Sequence, residues 1–286
     1  MVKKSNIKNK LKELKERTWH KAHYILMSPV RIFKFICFAT GLFTLTILLF
    51  LGLVTLNFYN GLPNIKKMSK SDLKKIAINR VVKKLGTKKK IVKYKWTPLD
   101  KVNRDLLYTI VMSEDSKFFQ HSGVDYNSLL DTIAYNIKKR DVTSGGASTI
   151  SQQVVKNLFL HGGKTFTRKL EEYFITKRLE SRFTKNDILE IYLNIAEFGI
   201  DIFGVEHASL DMFGKKASKV NVAEGAYLAL MLPSPRKNYY IIHQNKNLTN
   251  EKKRKVKRIL KDMAYHQFIS YKQYLKYLKY DYSKLK

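Results

Sequence analysis

The chain has 286 residues, of which 44% are apolar and 12% aromatic, and its formal charge is +32 at pH 7. This apolar content is enough for a packed core, so a globally disordered chain is excluded. Such a charge predicts an anionic partner: nucleic acid, acidic lipid or a phosphorylated substrate. The single cysteine, Cys37, excludes an internal disulfide and a zinc site built from cysteines.

The first 56 residues predict a membrane anchor. Residues 1–34 carry ten Lys or Arg and two Glu, as expected of a basic segment beside a membrane or of a solvated tail. Residues 35–56 carry no charge, and as a helix they reach roughly 30 Å, enough to cross a bilayer. No small-residue cleavage site follows, so we expect a retained transmembrane helix. The basic flank favours an amino terminus on the cytoplasmic side.

The remaining chain predicts one mainly α-helical domain. Residues 57–95 are rich in lysine and weakly periodic, which indicates a membrane-proximal connector. The composition changes at Trp96, and residues 96–286 show helical periodicity without a run of alternating strands. The expected helices begin at Pro98 and near Asp125 and then span residues 149–160, 166–183, 186–197, 205–213, 222–232, 250–265 and 271–280.

The end of the first of these helices carries a candidate proton-transfer group. Glu114 follows the apolar Met112 and precedes two phenylalanines. Apolar neighbours remove water from a carboxylate, which raises its pKa toward the range that is useful for proton transfer. An ordinary solvated helix end is the alternative. For His121 a structural role is favoured over a base or metal ligand, and Asp125 is expected to cap a helix.

A glycine pair, Gly145-Gly146, leads into a run of hydroxyl and amide side chains. Such groups at a helix start suit sugar hydroxyls or phosphate oxygens, and they would equally serve as a helix cap and a polar face. Lys156 lies on the same helix face as the last two members of this run, and further cations follow it. The candidates in this region are Ser148, Thr149, Ser151, Gln152, Gln153, Lys156, Lys164, Arg168 and Lys169.

Two acids in tandem, Glu171 and Glu172, lie in the next predicted helix. On a helical wheel Glu172 falls on the stripe that carries Arg168 and the apolar residues Ile175 and Leu179. Glu172 is therefore the better candidate for a buried functional carboxylate, with an ion pair to Arg168 as its alternative role.

Together these residues resemble the peptidoglycan glycosyltransferase family, in its monofunctional, membrane-anchored, biosynthetic form. The first family motif matches here as Glu114, Asp115, Phe118, His121, Gly123 and Asp125. Four further motifs match, in the family's order, at residues 145–157, 168–172 with 184–194, 194–209 and 223–235.

The resemblance implies a lysozyme-like α-helical fold and polymerisation of lipid II into β-1,4-linked glycan, with inversion and release of undecaprenyl diphosphate. Glu114 matches the general base that deprotonates the acceptor sugar's 4-hydroxyl, and Glu172 matches a second catalytic carboxylate. Lys164 stands where many relatives have arginine; it keeps the charge but not the bidentate geometry. The expected substrate-binding residues are Ser148, Thr149, Gln152, Gln153, Lys156, Lys164 and Arg168.

The resemblance also implies a divalent cation, Mg²⁺ or Mn²⁺, between Glu172 and the diphosphate, and no organic cofactor. The implied partners are lipid II, the growing glycan strand, the membrane and other cell-wall synthesis proteins, but no nucleic acid. The implied location is the bacterial plasma (inner) membrane, crossed once, with a cytoplasmic amino terminus and the catalytic domain outside.

Two other functions remain open on the sequence. A lysozyme-like lytic enzyme would also use a glutamate in a helical scaffold, and a basic membrane-anchored protein could bind anionic polymers without catalysis. The cations beside the carboxylates favour synthesis, because a hydrolase has no diphosphate to neutralise.

Overall fold

The computed structural model describes residues 2–86, 94–139, 148–163 and 165–285, with the backbone alone at 2–9, 25–28, 133, 139 and 284. The chain divides into two compact units, Met1–Leu62 and Pro63–Lys286.

The first unit contains one long helix, α1, from Val2 to Gly61. This helix is long and apolar enough to cross a membrane, as predicted. The apolar side chains between residues 35 and 56 are exposed, whereas the backbone polar groups are paired within the helix, which is the arrangement that lipid requires. The basic segment before residue 35 belongs to the same helix, and Pro29 does not end it.

The second unit is mainly α-helical, which confirms the predicted fold class. A short antiparallel hairpin of β1 (Glu197–Gly199) and β2 (Ile202–Phe203) interrupts the helices, and a π-helical segment spans Tyr239–Gln244. The helices are α2 (Lys70–Leu85), α3 (Arg104–Glu114), α4 (Tyr126–Lys139), α5 (Ile150–Leu158), α6 (Phe166–Arg182), α7 (Lys185–Ile195), α8 (Val205–Phe213), α9 (Val222–Ala229), α10 (Pro235–Asn238), α11 (Asn250–Tyr265) and α12 (Tyr271–Leu278).

Helices α3, α5, α7 and α9 form the core of this unit. Every residue of α9 is buried, including Glu224, whose carboxylate is ion-paired with Lys215, and α3 packs against this helix. Gly225 permits this close approach, since a Cβ there would lie only 3.2 Å from the Cβ of Thr109. Helix α5 contacts both α6 and α7, so it links the core to the helix that carries Glu172.

The start of α3 differs from the prediction. Leu99–Lys101 forms a single 3-10 turn, and α3 begins only after Asn103, whose side chain caps it. The helix start predicted at Pro98 is therefore wrong. The backbone N–H of Leu99 instead donates to Glu190 on α7 at 3.0 Å, so this stretch fastens the chain to the core.

Helix α2 lies in the lysine-rich stretch that the sequence indicated as a connector. The side chain of Arg80, on this helix, donates hydrogen bonds to the backbone carbonyls of Asn157 at 3.2 Å and Leu160 at 3.3 Å. These two carbonyls belong to the carboxyl end of α5 and the residues after it, so α2 holds that end in place. The buried side chains of α2 lie four residues apart: Leu73, Ala77 and Val81.

We expect Leu73→Ala to lower the free energy of unfolding by about 2–5 kcal/mol, because this fully buried side chain would leave a cavity. Val82→Ala on the same helix is the control; Val82 is exposed, and a change within about 0.5 kcal/mol is expected. Denaturant unfolding of the full chain in detergent would measure both. Equal effects of the two substitutions would contradict the packing of α2 on the core.

Candidate active site

Glu114 is the last residue of α3 and is half-buried. The Nε2 of Gln153, on α5, donates to Glu114 Oε2 at 3.2 Å. The hydroxyl of Tyr192, on α7, donates in turn to Gln153 Oε1 at 3.4 Å. The carboxylate is thus oriented by a chain of hydrogen bonds from two other helices.

The pKa of Glu114 lies above its ordinary value. Burial is the main cause, and it outweighs the opposing effects of Lys255, of the hydrogen bond from Gln153 and of Lys156. A carboxylate with a raised pKa is a better proton acceptor at neutral pH than one in water. Glu114 therefore has the partly desolvated environment that the sequence predicted.

Asp115 joins the segment after α3 to the start of α5. Its Oδ1 lies 2.9 Å from Nε2 of His121, and its Oδ2 accepts the backbone N–H of Ile150, the first residue of α5, at 2.9 Å. The N–H of Gly123 donates to Nδ1 of His121 at 3.1 Å, so Nε2 carries the proton that Asp115 accepts. His121 thus has the structural role that the sequence favoured.

The loop after α3 also packs closely on α6. Gly123 has φ +89°, and a Cβ there would lie 2.7 Å from Cγ2 of Thr176 and 2.8 Å from Cγ of Glu180. The glycine of the first motif is therefore required by both its backbone conformation and its surroundings. Asp125 caps α4, as predicted, by accepting the N–H of Ser128 at 3.0 Å.

Thr149 and Gln152 form a reciprocal capping box at the start of α5. Thr149 accepts the N–H of Gln152, and the Gln152 side chain accepts the N–H of Thr149 at 3.0 Å. Thr149 Oγ1 also donates to the carbonyl of Gly123 at 2.6 Å. Both side chains are buried. The geometry gives them the capping role that the sequence left open, and their contact with substrate stays a prediction.

Glu172 is buried with 2% of its surface exposed, as the helical wheel predicted, and lies among cations. Lys169 forms a short ion pair with Oε1, and Nη1 of Arg168 lies 3.6 Å from Oε2. Lys169 Nζ also donates to Ser148 Oγ at 3.4 Å, which joins the residue before α5 to this cluster. Among the atoms that the structure describes, the buried Nε of Arg168 has no hydrogen-bond partner.

Lys156 is subject to the charges of both carboxylates. Burial lowers its pKa, although part of the side chain is exposed. Lys169 and Arg168 lower this pKa further, whereas the charges of Glu172 and Glu114 raise it. Both acids therefore influence the pKa of Lys156. This lysine links the Glu114 end of the site to the cations around Glu172.

Lys255 is not among the site residues that the sequence predicts. This lysine lies on α11, far along the chain, and the charge of Glu114 is the principal influence that raises its pKa against the lowering effect of burial. One signal in the sequence could have found it: Lys255 lies four residues before Ile259, on the apolar stripe of α11.

Two predictions on the site extend beyond this geometry. Lys164, like the glycine pair Gly145-Gly146, lies outside the described residues.

The metal assignment to Glu172 stays a prediction: both of its oxygens face cations, and the described residues contain no group of three or more His, Cys, Asp or Glu side chains that could hold an ion. This donor set does not fit a divalent ion held by the protein alone.

We expect Glu114→Gln to raise the melting temperature at pH 8. Because folding raises the pKa of Glu114, ionisation of this carboxyl opposes folding at any pH above its unfolded-state value. The neutral amide lacks this effect. Near pH 4 the carboxyl is largely protonated in both states, so the two melting temperatures should converge. A variant that is equally stabilised at both pH values would contradict the raised pKa.

Comparison with known proteins agrees with this site. A family model described as "Transglycosylase" matches residues 79–264. The chain is similar to proteins named "Biosynthetic peptidoglycan transglycosylase", among them that of Chromobacterium violaceum, with 45% identity over 154 residues, which cover 54% of this chain and 66% of the relative. The corresponding protein of Nitrosospira multiformis is 42% identical over 168 residues, which cover 59% of this chain and 72% of the relative.

A third relative of the same name, from Janthinobacterium sp. (strain Marseille), is 45% identical over 145 residues, 51% of this chain and 62% of the relative. The chain therefore spans slightly less than two thirds of the Chromobacterium and Janthinobacterium proteins. The matched residues contain Glu114, Gln153, Lys156, Glu172 and Lys255. On these matches the chain belongs to the transglycosylase family.

Proposed function

We propose that this protein is a peptidoglycan glycosyltransferase that polymerises lipid II into β-1,4-linked glycan strands. The observation that carries the proposal is the pairing of a half-buried carboxylate of raised pKa, Glu114, with a cluster of cations around Glu172. The first group suits deprotonation of a hydroxyl, and the second suits a leaving group that departs as an anion.

In the proposed reaction Glu114 is the general base. It removes the proton from the 4-hydroxyl of the acceptor sugar as the oxygen attacks C1 of the donor. Gln153 orients the carboxylate by its hydrogen bond to Oε2. A single displacement of the α-linked diphosphate gives a β linkage, so the configuration is inverted.

The cations stabilise the departing undecaprenyl diphosphate. Lys156 and Lys169 supply ammonium groups, whereas Arg168 supplies a planar guanidinium whose buried Nε is available as a donor. An unpaired buried donor is costly, and a phosphate oxygen would satisfy it with a charge-assisted hydrogen bond. Ser148, within reach of Lys169, is placed to contact the same group. By resemblance Lys164 adds a further charge.

Glu172 acts in this proposal through the cations that it holds. Its two oxygens engage Lys169 and Arg168, which fixes both donors on one side of the site. A divalent cation remains an expectation from the family resemblance, and the proposed mechanism does not use one.

The arrangement favours synthesis over the two alternatives. A lytic enzyme must protonate a leaving sugar oxygen, and it has no anionic leaving group for the cations around Glu172 to stabilise. A protein that only binds an anionic polymer would gain nothing from a carboxylate buried among those cations, because the carboxylate weakens their attraction for the polymer. We therefore expect no nucleic-acid partner.

The proposed substrate is borne by a lipid, and α1 provides a candidate membrane anchor. The cations before residue 35 favour a cytoplasmic amino terminus, which places the catalytic unit on the outer side of the plasma membrane. The growing glycan strand and other cell-wall synthesis proteins are the partners that this location implies.

Glu114→Gln is expected to reduce polymerisation of fluorescent lipid II by at least about 100-fold, because the amide cannot accept the proton. Glu171→Gln, which removes a neighbouring acid of the candidate site without touching its carboxylates, is the matched control and should retain activity. Gel separation of the polymer would measure all three proteins. Polymerisation by Glu114→Gln at the wild-type rate would exclude this residue as the base.

The same protein is expected to leave finished glycan strands intact. Chromatography of the strands before and after incubation would show this. Cleavage of the strands without any polymer from lipid II would overturn the proposed function in favour of the lytic alternative.

Arg168→Lys should raise KM for lipid II at least about tenfold, because lysine keeps the charge but loses the planar fork that can hold a phosphate. Arg254→Met, which removes an exposed guanidinium from α11, is the control. Initial rates over a range of lipid II concentrations would separate KM from kcat. An unchanged KM would show that Arg168 does not hold the diphosphate.

A further inference from the structure

A row of aromatic side chains joins the loop after α3 to the carboxyl end of α11. The ring of Tyr108 lies 6.4 Å from that of Phe119 and stacks on that of Phe268 with centroids 4.2 Å apart. The ring of His266 lies 6.3 Å from that of Phe268 and 5.3 Å from that of Tyr265. Each ring thus contacts the next, and we call these five residues the aromatic strip.

The aromatic strip is open to solvent. Tyr265 is 81% exposed, Phe119 47% and Phe268 37%. His266 is exposed as well, and Tyr108 is half-buried. Contiguous apolar surface in contact with water is unfavourable, and where polar groups border it, such surface marks a binding site.

One end of the aromatic strip lies at the candidate active site. Phe119 follows Glu114 by five residues, and its ring contacts that of Phe118 at 5.0 Å. The ring of Phe118 lies in turn 6.3 Å from that of His121, in the first motif. Because Phe118 is fully buried, Phe119 is the ring of this pair that a ligand can reach.

Polar groups border the strip at this same end. Phe119 and Tyr108 line a groove of about 570 Å³ whose other lining residues include Lys70, Asp100, Arg104 and Asn186. The last three of these side chains are exposed, and the guanidinium carbon of Arg104 lies 5.8 Å from the ring centroid of Tyr108. A carboxylate, a guanidinium and a carboxamide together supply both acceptors and donors of hydrogen bonds beside the rings.

This combination suits a carbohydrate. A sugar ring has an apolar face of C–H bonds, which packs on an aromatic ring, and a rim of hydroxyls, which needs donors and acceptors beside it. A bilayer would have to remove water from the exposed charges of Asp100 and Arg104. A stable protein partner would bury a broad patch, whereas the described rings form a row.

We propose that the aromatic strip binds the glycan strand, with successive sugar rings packed on aromatic rings from Phe119 toward Tyr265. The inference rests on the proposed function, in which the product of the site is a polymer of sugar rings. A strand that is held at the strip as well as in the site dissociates more slowly than one held in the site alone. The strip therefore favours repeated additions to the same strand.

Binding of glycan tests the strip without any reaction. The probes are a disaccharide and an octasaccharide of alternating N-acetylglucosamine and N-acetylmuramic acid without a diphosphate, titrated calorimetrically into the full chain in detergent. The octasaccharide should bind the wild-type protein at least about tenfold more tightly than the disaccharide, because it reaches more rings.

Two variants remove rings from the strip. Phe119→Leu keeps the apolar bulk without the ring, and Tyr265→Ala removes the ring at the far end. Each should weaken octasaccharide binding about fivefold, since one ring contact contributes about 1 kcal/mol. Phe119→Tyr, which keeps a ring, and Tyr240→Ala, which removes an exposed ring of the π-helical segment outside the strip, are the matched controls and should bind like the wild type. If Phe119→Leu does not fold, Tyr265→Ala carries the test.

The length of the polymer gives a second measurement. At equal consumption of lipid II, Phe119→Leu and Tyr265→Ala should produce shorter strands than the wild-type protein and Tyr240→Ala, because a strand that is held less tightly leaves earlier. Gel separation of the products would show the difference.

The outcomes separate the two proposals. A wild-type protein that does not polymerise lipid II overturns the proposed function, whereas calorimetry still tests the strip. Octasaccharide affinity that is unchanged in both ring-removing variants overturns the glycan-binding role and leaves the proposed function in place. A wild-type protein that polymerises lipid II but binds neither oligosaccharide would assign the strip to a protein or lipid partner and likewise overturn this role.

Discussion

The site depends on the removal of one carboxylate from water. Glu114 ends an apolar helix whose neighbouring residues are buried, and among the groups that favour its ionised form are Lys255, Lys156 and Gln153, which lie on other helices. Those groups come from α5 and α11. The helices of the second unit therefore pack around a single charged group. Contacts outside the site set the position of each of these helices.

Helix α5 shows how such a position is maintained. Its first N–H is accepted by Asp115, its start is closed by the Thr149–Gln152 capping box, and its far end is held by Arg80. Both ends of this nine-residue helix are thus fixed, so Gln153 and Lys156 between them have little freedom to move away from Glu114. Thr149 and Gln152, which the sequence predicted as substrate contacts, thus also hold the helix that carries Gln153 and Lys156 in place.

The helical periodicity of the sequence predicted those features of the fold that depend on residues close together in the chain. Periodicity placed α6, α8 and α11 within a residue of their ends, and the wheel separated the buried Glu172 from Glu171. It failed for α2, whose many lysines hide an apolar stripe of only three residues. It also could not assign Lys255, because Glu114, whose charge raises the pKa of that lysine, lies about 140 residues away in the chain.

Burial and the neighbouring charges act in opposite directions on the protonation of Glu114, and burial has the larger effect. Burial alone raises the pKa of Glu114 and favours the neutral acid, which is the form that a glycan-cleaving enzyme uses to protonate a leaving oxygen. Lys255 and Lys156 oppose that effect and favour the form that accepts a proton. The cations near Glu172, which include Lys156, suit a leaving diphosphate and would help a departing anion more than a departing neutral sugar. In the proposed function, these cations adapt a lysozyme-like scaffold to bond formation.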